Sequence, residues 1–158
     1  MSMPAEKAKT LHERHPGMSI PVDIEELVIE VGCELIEWQF LSPVKEVKHG
    51  RWIGIAEGLE RNEQRYLAAH ALGHHLLHCG NQLWFRDWQE TSVVKQEREA
   101  DEFAAHILMP APELARVITL SVWELADYFD VPEELAYQRV NEYATQEEME
   151  RWNEAYVE

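Results

Sequence analysis

The chain has 158 residues and a mass of 18.5 kDa, the size of one compact domain. Lys and Arg number 14 against 30 Asp and Glu, and the resulting net charge of −16 repels nucleic-acid phosphates and anionic membrane surfaces alike. No run approaches the ~18 apolar residues of a membrane span, residues 1–17 lack a signal-peptide core, and Cys33 and Cys79 are too few for a disulfide framework, so a cytosolic protein is expected.

Residues 1–19 combine charge, Pro16 and Gly17 with little periodicity and read as a loosely held arm, in which Ala5 to His15 could form a short amphipathic helix. Asp23 is placed to cap a helix over 23–31, whose apolar Ile24, Leu27, Val28 and Val31 recur at helical spacing and whose stop is Gly32. Three strands follow, at 33–38, 44–48 and, after the His49-Gly50 turn, 51–56. Asn62 would cap the next helix, which ends at Gly80. An aromatic connection with Trp84, Phe85 and Trp88 leads to a helix from Val94 to Leu108, closed by Pro110, and further helices are expected near 121–130 and 132–144. The expected fold is α+β: a small antiparallel three-stranded sheet packed with helices. A core over 20–110 would carry a helical C-terminal region, 111–158.

Four of the eight histidines fall at His70, His74, His75 and His78. Residues four apart on a helix differ by only about 40°, so His70 and His74 can share one cation. In the helix beyond the aromatic connection Glu97 and Asp101 also stand four apart, while Glu99 lies about 200° from Glu97. A Glu97 carboxylate would complete a two-His, one-carboxylate zinc site with its fourth position open. Asp101 would then accept the outer N–H of a ligating imidazole. Two-His-carboxylate sites also accept manganese or iron, so spacing alone does not name the metal.

The stretches Arg65 to His78, Glu97 to Ala105 and Leu108-Met109-Pro110 together resemble the ImmA/IrrE family of zinc metallopeptidases, and the resemblance covers most of residues 20–140. It implies a zincin-like, thermolysin-type core with His70, His74 and Glu97 as ligands to Zn2+ and Asp101 behind them. The family motif is HExxH, whereas this chain reads His70-Ala71-Leu72-Gly73-His74. The absent glutamate is the general base that takes a proton from the attacking water and returns it to the leaving amine. Its loss costs on the order of 10²–10⁴ in rate, so the site is expected to be nearly or wholly inactive as written. Ala71 is either a natural inactivation or a replacement, and the retention of every ligand favours replacement.

Other residues near the motif have weaker signals. His78, two turns beyond His70, is an alternative third ligand or a near-site residue, and His75 faces solvent or substrate. Tyr66, His75, His78 and His106 are all candidate oxyanion stabilisers, and Cys79 reads as packing. The strand 51–56 would offer an edge to an extended substrate, with Trp84, Phe85 and Trp88 walling the cleft. Residues 121–132 resemble half a helix-turn-helix, but over 120–140 five carboxylates face Arg139 alone, which disfavours DNA. The function expected by resemblance is cleavage of a helix-turn-helix repressor or antitoxin-like protein, whose basic surface an acidic protease attracts. The alternative is a non-catalytic, zinc-stabilised module that sequesters such a regulator.

Overall fold

The computed structural model describes residues 1–41, 43–78 and 89–157. In chain order the elements are α1 (Met3–Arg14), α2 (Ile24–Glu30), β1 (Glu34–Trp38), β2 (Glu46–His49), β3 (Trp52–Ala56), α3 (Arg61–His78), α4 (Gln89–Leu108), α5 (Ala111–Val117), α6 (Val122–Phe129), α7 (Glu133–Asn141) and α8 (Gln146–Val157). The class is α+β, as expected. No helix among the described residues is long and apolar enough to cross a membrane.

The N-terminal segment is more ordered than its sequence suggested. Ser2 caps α1 by accepting the Ala5 N–H, and Ala5, Ala8 and Leu11 are buried on the face that packs on α4. The Ser2 hydroxyl also donates to Glu102 Oε1 at 2.6 Å, and His12 Nε2 lies 3.0 Å from the Ile107 carbonyl oxygen. Hydrogen bonds thus tie the helix to α4 near both of its ends, which corrects the expectation of a loose arm. Two alanines make a weak apolar signal, and only a partner that is itself alanine-rich turns them into a close interface.

In α2 the Asp23 carboxylate accepts the Glu26 N–H at 3.1 Å. Gly32, at φ 84°, closes it: its N–H reaches the Ile29 carbonyl and the Cys33 N–H the Val28 carbonyl, both at 3.0 Å.

The sheet order is β1-β3-β2. β2 and β3 pair antiparallel across the Gly50 turn, but β1 and β3 are parallel, so the sheet is mixed rather than wholly antiparallel. A two-residue turn dictates antiparallel pairing, whereas the longer stretch between β1 and β2 has no such local constraint. β3 is therefore the central strand, with Ile53, Gly54 and Ile55 all buried, and it offers no edge to a substrate. The edge beside α3 belongs to β2.

α3 and α4 form the principal helix pair. The Gln64 N–H bonds to the Glu60 carbonyl at 3.0 Å, which places Asn62 inside the first turn rather than at the cap. At the crossing there is no room for a side chain on Gly73: a Cβ would lie 3.0 Å from Phe103 Cδ1 and 3.2 Å from Ala100 Cα and O. α4 begins at Gln89, five residues earlier than expected. Residues 79–88, with Cys79, Gly80, Trp84, Phe85 and Trp88, lie outside the described residues.

Two arginines hold the C-terminal helices. Arg65 of α3 donates to the carbonyls of Val22, Phe129 and Asp130. Arg139 is fully buried, donates to the Met109 carbonyl and forms a two-pronged pair with Glu148. The cation noted between residues 120 and 140 is thus committed to the interior.

Candidate metal centre

Helical spacing on α3 and α4 brings His70, His74, Glu97 and Asp101 together where the helices cross. His70 Nε2 lies 3.0 Å from Glu97 Oε2, His74 Nε2 lies 2.8 Å from Glu97 Oε1, and the two Nε2 atoms are 3.2 Å apart. One ligand atom from each of these three residues falls within 4.8 Å of the others. A tetrahedral ion with bonds of about 2.0–2.1 Å spaces its ligand atoms about 3.3 Å apart. The donor set therefore suits a divalent cation after shifts of a few tenths of an ångström. A zinc ion held there would polarise a peptide carbonyl and acidify a water molecule.

The outer ring nitrogens decide which nitrogens are free to face the ion. His70 Nδ1 is 2.8 Å from Asp101 Oδ1, and the Tyr66 hydroxyl donates to the same oxygen. With its Nδ1–H given to Asp101, His70 presents the Nε2 lone pair inward. His74 Nδ1 is 3.1 Å from His78 Nδ1, so His78 stands to His74 as Asp101 stands to His70. The other His78 nitrogen lies 3.7 Å from Glu99 Oε2. Glu99, which a helical wheel turns away from Glu97, thus meets the histidine row one turn further along α3.

The electrostatics follow from burial and charge. Burial works to lower the His70 pKa, but hydrogen bonds to Asp101 and then Glu97 more than offset it and raise it to about 10. The same contacts to His70, then His74, hold the Glu97 carboxylate well below the usual range. Burial, followed by Asp101, pushes the Tyr66 hydroxyl far up. At position 71 there is only a fully buried methyl group.

The weaker candidates separate clearly. His75 is half-buried rather than facing solvent, its Nδ1 has no hydrogen-bond partner among the described residues, and burial and Lys48 lower its pKa. His78 supports His74 instead of joining the ligand group. His106 is removed as an oxyanion stabiliser: its Nε2 lies 2.8 Å from the Tyr143 carbonyl oxygen, among α1, α5 and α8. Sequence reasoning missed Glu46. It opens β2, and the charges of His70, His74, Glu97 and Asp101 all act on its carboxyl, whose pKa burial raises. Alternation along residues 44–48 put Glu46 on one face of a strand, but nothing local named the helix opposite.

Comparison with known proteins places this geometry. Curated protein sequences give no match. Among solved structures, a Mycobacterium tuberculosis transcriptional regulator is similar in fold, with a TM-score of 0.74 at 16% identity; the match covers 94% of this chain and 49% of that one. The chain thus spans about half the length of that relative. The family model described as the IrrE N-terminal-like domain, Peptidase M78, matches residues 28–141, from α2 through both site helices to α7. On that match the chain belongs to the IrrE N-terminal-like domain family of M78 peptidases.

Proposed function

We propose that this domain is a cytosolic zinc-dependent endopeptidase of the ImmA/IrrE type, directed at a regulatory protein and slowed by the alanine at position 71. The observation that carries this reading is the convergence of His70, His74 and Glu97, with Asp101 behind His70. In this reading His70, His74 and Glu97 hold Zn2+, and Asp101 fixes the His70 tautomer. The outer edge of β2 takes the substrate as an added strand, in place of β3. A helix-turn-helix repressor or antitoxin-like protein suits the charge of −16, because basic DNA-binding surfaces are drawn to it. The similarity to a transcriptional regulator supports the same setting.

Ala71 favours one rival, a zinc-stabilised module that binds a regulator without cutting it. Incubating zinc-loaded Ala71→Glu protein with a basic helix-turn-helix repressor separates the two. Cleavage faster than the parent's by about 10²–10⁴ is expected for a peptidase. A folded, zinc-loaded Ala71→Glu protein that binds the repressor and leaves it whole would establish the binding module.

A further inference from the structure

We propose that the cavity which α1, α5 and α8 form around the C-terminal end of α4 is a binding site for a neutral, flat, two-ring aromatic molecule bearing an N–H or O–H group. The cavity shares no lining residue with the metal centre, so the inference does not depend on the peptidase reading. Its volume is about 360 Å³. An apolar cavity of ~150 Å³ is enough to take up benzene, so two fused rings fit here.

The walls and the mouth differ in character. Ala5 and Ala8 of α1 and Ala111 of α5 present only methyl groups, which leaves space where longer side chains would close the helices on one another. Charge is confined to exposed residues at the mouth: Lys9 with Glu13 one turn on, and Arg151, whose Nη2 lies 3.3 Å from Glu147 Oε1. Deeper in, the Glu148 carboxylate is taken by Arg139. Cations and carboxylates are matched throughout, so an ionic ligand would enter without a partner for its charge.

Two imidazoles supply the polarity inside, and their existing hydrogen bonds fix what they offer. His12 Nε2 lies 3.0 Å from the Ile107 carbonyl oxygen, and His106 Nε2 lies 2.8 Å from that of Tyr143. A carbonyl only accepts, so each Nε2 carries the hydrogen. Burial, joined by the charge of Arg139, lowers both pKa values, which leaves the rings neutral and each Nδ1 a bare acceptor. Neither Nδ1 has a hydrogen-bond partner among the described residues, yet neither is sealed from solvent. His106 is only 6% exposed, and the space its ring borders is this cavity. Two acceptors of this kind select a molecule with a hydrogen to donate over one of the same shape without it. Once bound, it touches α1, α5 and α8 together and stabilises their seating on α4 by mass action.

The test compares indole with benzofuran on the full chain, because benzofuran keeps the shape and replaces the N–H by an oxygen acceptor. Indole should bind with a Kd on the order of 1 mM or tighter, and at about ten times Kd it should raise Tm by roughly 3–6 °C. In nitrogen NMR of the imidazole rings, indole should shift the His106 Nδ1 resonance. Benzofuran should leave that resonance in place and bind about three- to tenfold more weakly, the worth of one neutral hydrogen bond. Ala111→Leu fills the cavity from a half-buried position and should weaken indole binding by at least about tenfold. The proposal is overturned by no indole binding at millimolar concentration, by equal binding of the two compounds, or by a folded Ala111→Leu protein that binds indole as tightly as the parent. If that variant does not fold, the His106 Nδ1 resonance of the parent decides: a shift with indole alone supports the site, and no shift refutes it.

Discussion

Gly73→Ala tests the α3–α4 crossing on which the site depends. In an exposed helix interior this change stabilises by about 0.8–1 kcal/mol, because alanine is the better helix former. Here the new methyl would sit 3.0 Å from Phe103 Cδ1 and 3.2 Å from the Ala100 backbone, against an ordinary carbon contact of about 3.5–4.0 Å. Phe103 and Ala100 are both fully buried, so neither can turn away into solvent. Overpacking of this kind costs about 1–3 kcal/mol, and contact with backbone argues for the upper half of that range. The net expectation is a loss of about 1–2 kcal/mol, or a fall in Tm of roughly 2–8 °C for a domain of this size. Separating the helices also moves Glu97 away from the two histidines, so zinc should restore less stability to the variant than to the parent. Denaturant unfolding with and without zinc reads both effects. A variant more stable than the parent by about 1 kcal/mol would refute the close crossing.

Other consequences are independent of that contact. In the metal-free protein His70, with its pKa raised to about 10, holds a proton at pH 7 that the zinc-bound form lacks. Zinc loading should therefore release about one proton, and affinity should fall about tenfold per pH unit between pH 9 and 7; calorimetry in buffers of different ionisation enthalpy measures this, and no proton release would contradict it. Burial, then Arg139, lowers the His106 pKa to about 3, so the unfolded chain binds the extra proton between pH 6.5 and 3. The stability that neutral His106 contributes is complete above pH 6.5 and lost as pH falls through that window. His106→Gln should flatten acid unfolding there by up to a few kcal/mol, since each tenfold difference in proton affinity between folded and unfolded chains is worth about 1.4 kcal/mol, and an unchanged acid curve would count against it. Arg139→Met leaves the Glu148 carboxylate buried without its partner and should cost about 3–5 kcal/mol, read by denaturant midpoint. A loss below about 1 kcal/mol would mean that the pair is solvated.

What could be read from the sequence was local chemistry repeated at a fixed spacing. Asp23 and Gly32 bound α2 as expected because caps act through side chains and turns a few residues away. The pairs His70/His74 and Glu97/Asp101 were legible because helical geometry alone puts each pair on one face. What escaped were relations between elements. The parallel partnering of β1 and β3, the seating of α1 on α4, and the placement of Glu46 opposite α3 each depend on how separate pieces meet. A strand pattern says which residues share a face, but not what that face covers. The reach of Glu99 to His78 has the same origin, since two crossing helices meet along more than one row of side chains.

The central claim is that two imidazoles of α3 and one carboxylate of α4 hold a single ion. Zinc titration of metal-free parent, Glu97→Ala and Asp101→Asn proteins tests it most directly. The expected result is one zinc per parent chain. Asp101→Asn should weaken binding by the about 10–100-fold that loss of an outer partner costs, and Glu97→Ala should weaken it further still. One zinc bound by Glu97→Ala as tightly as by the parent would contradict the account.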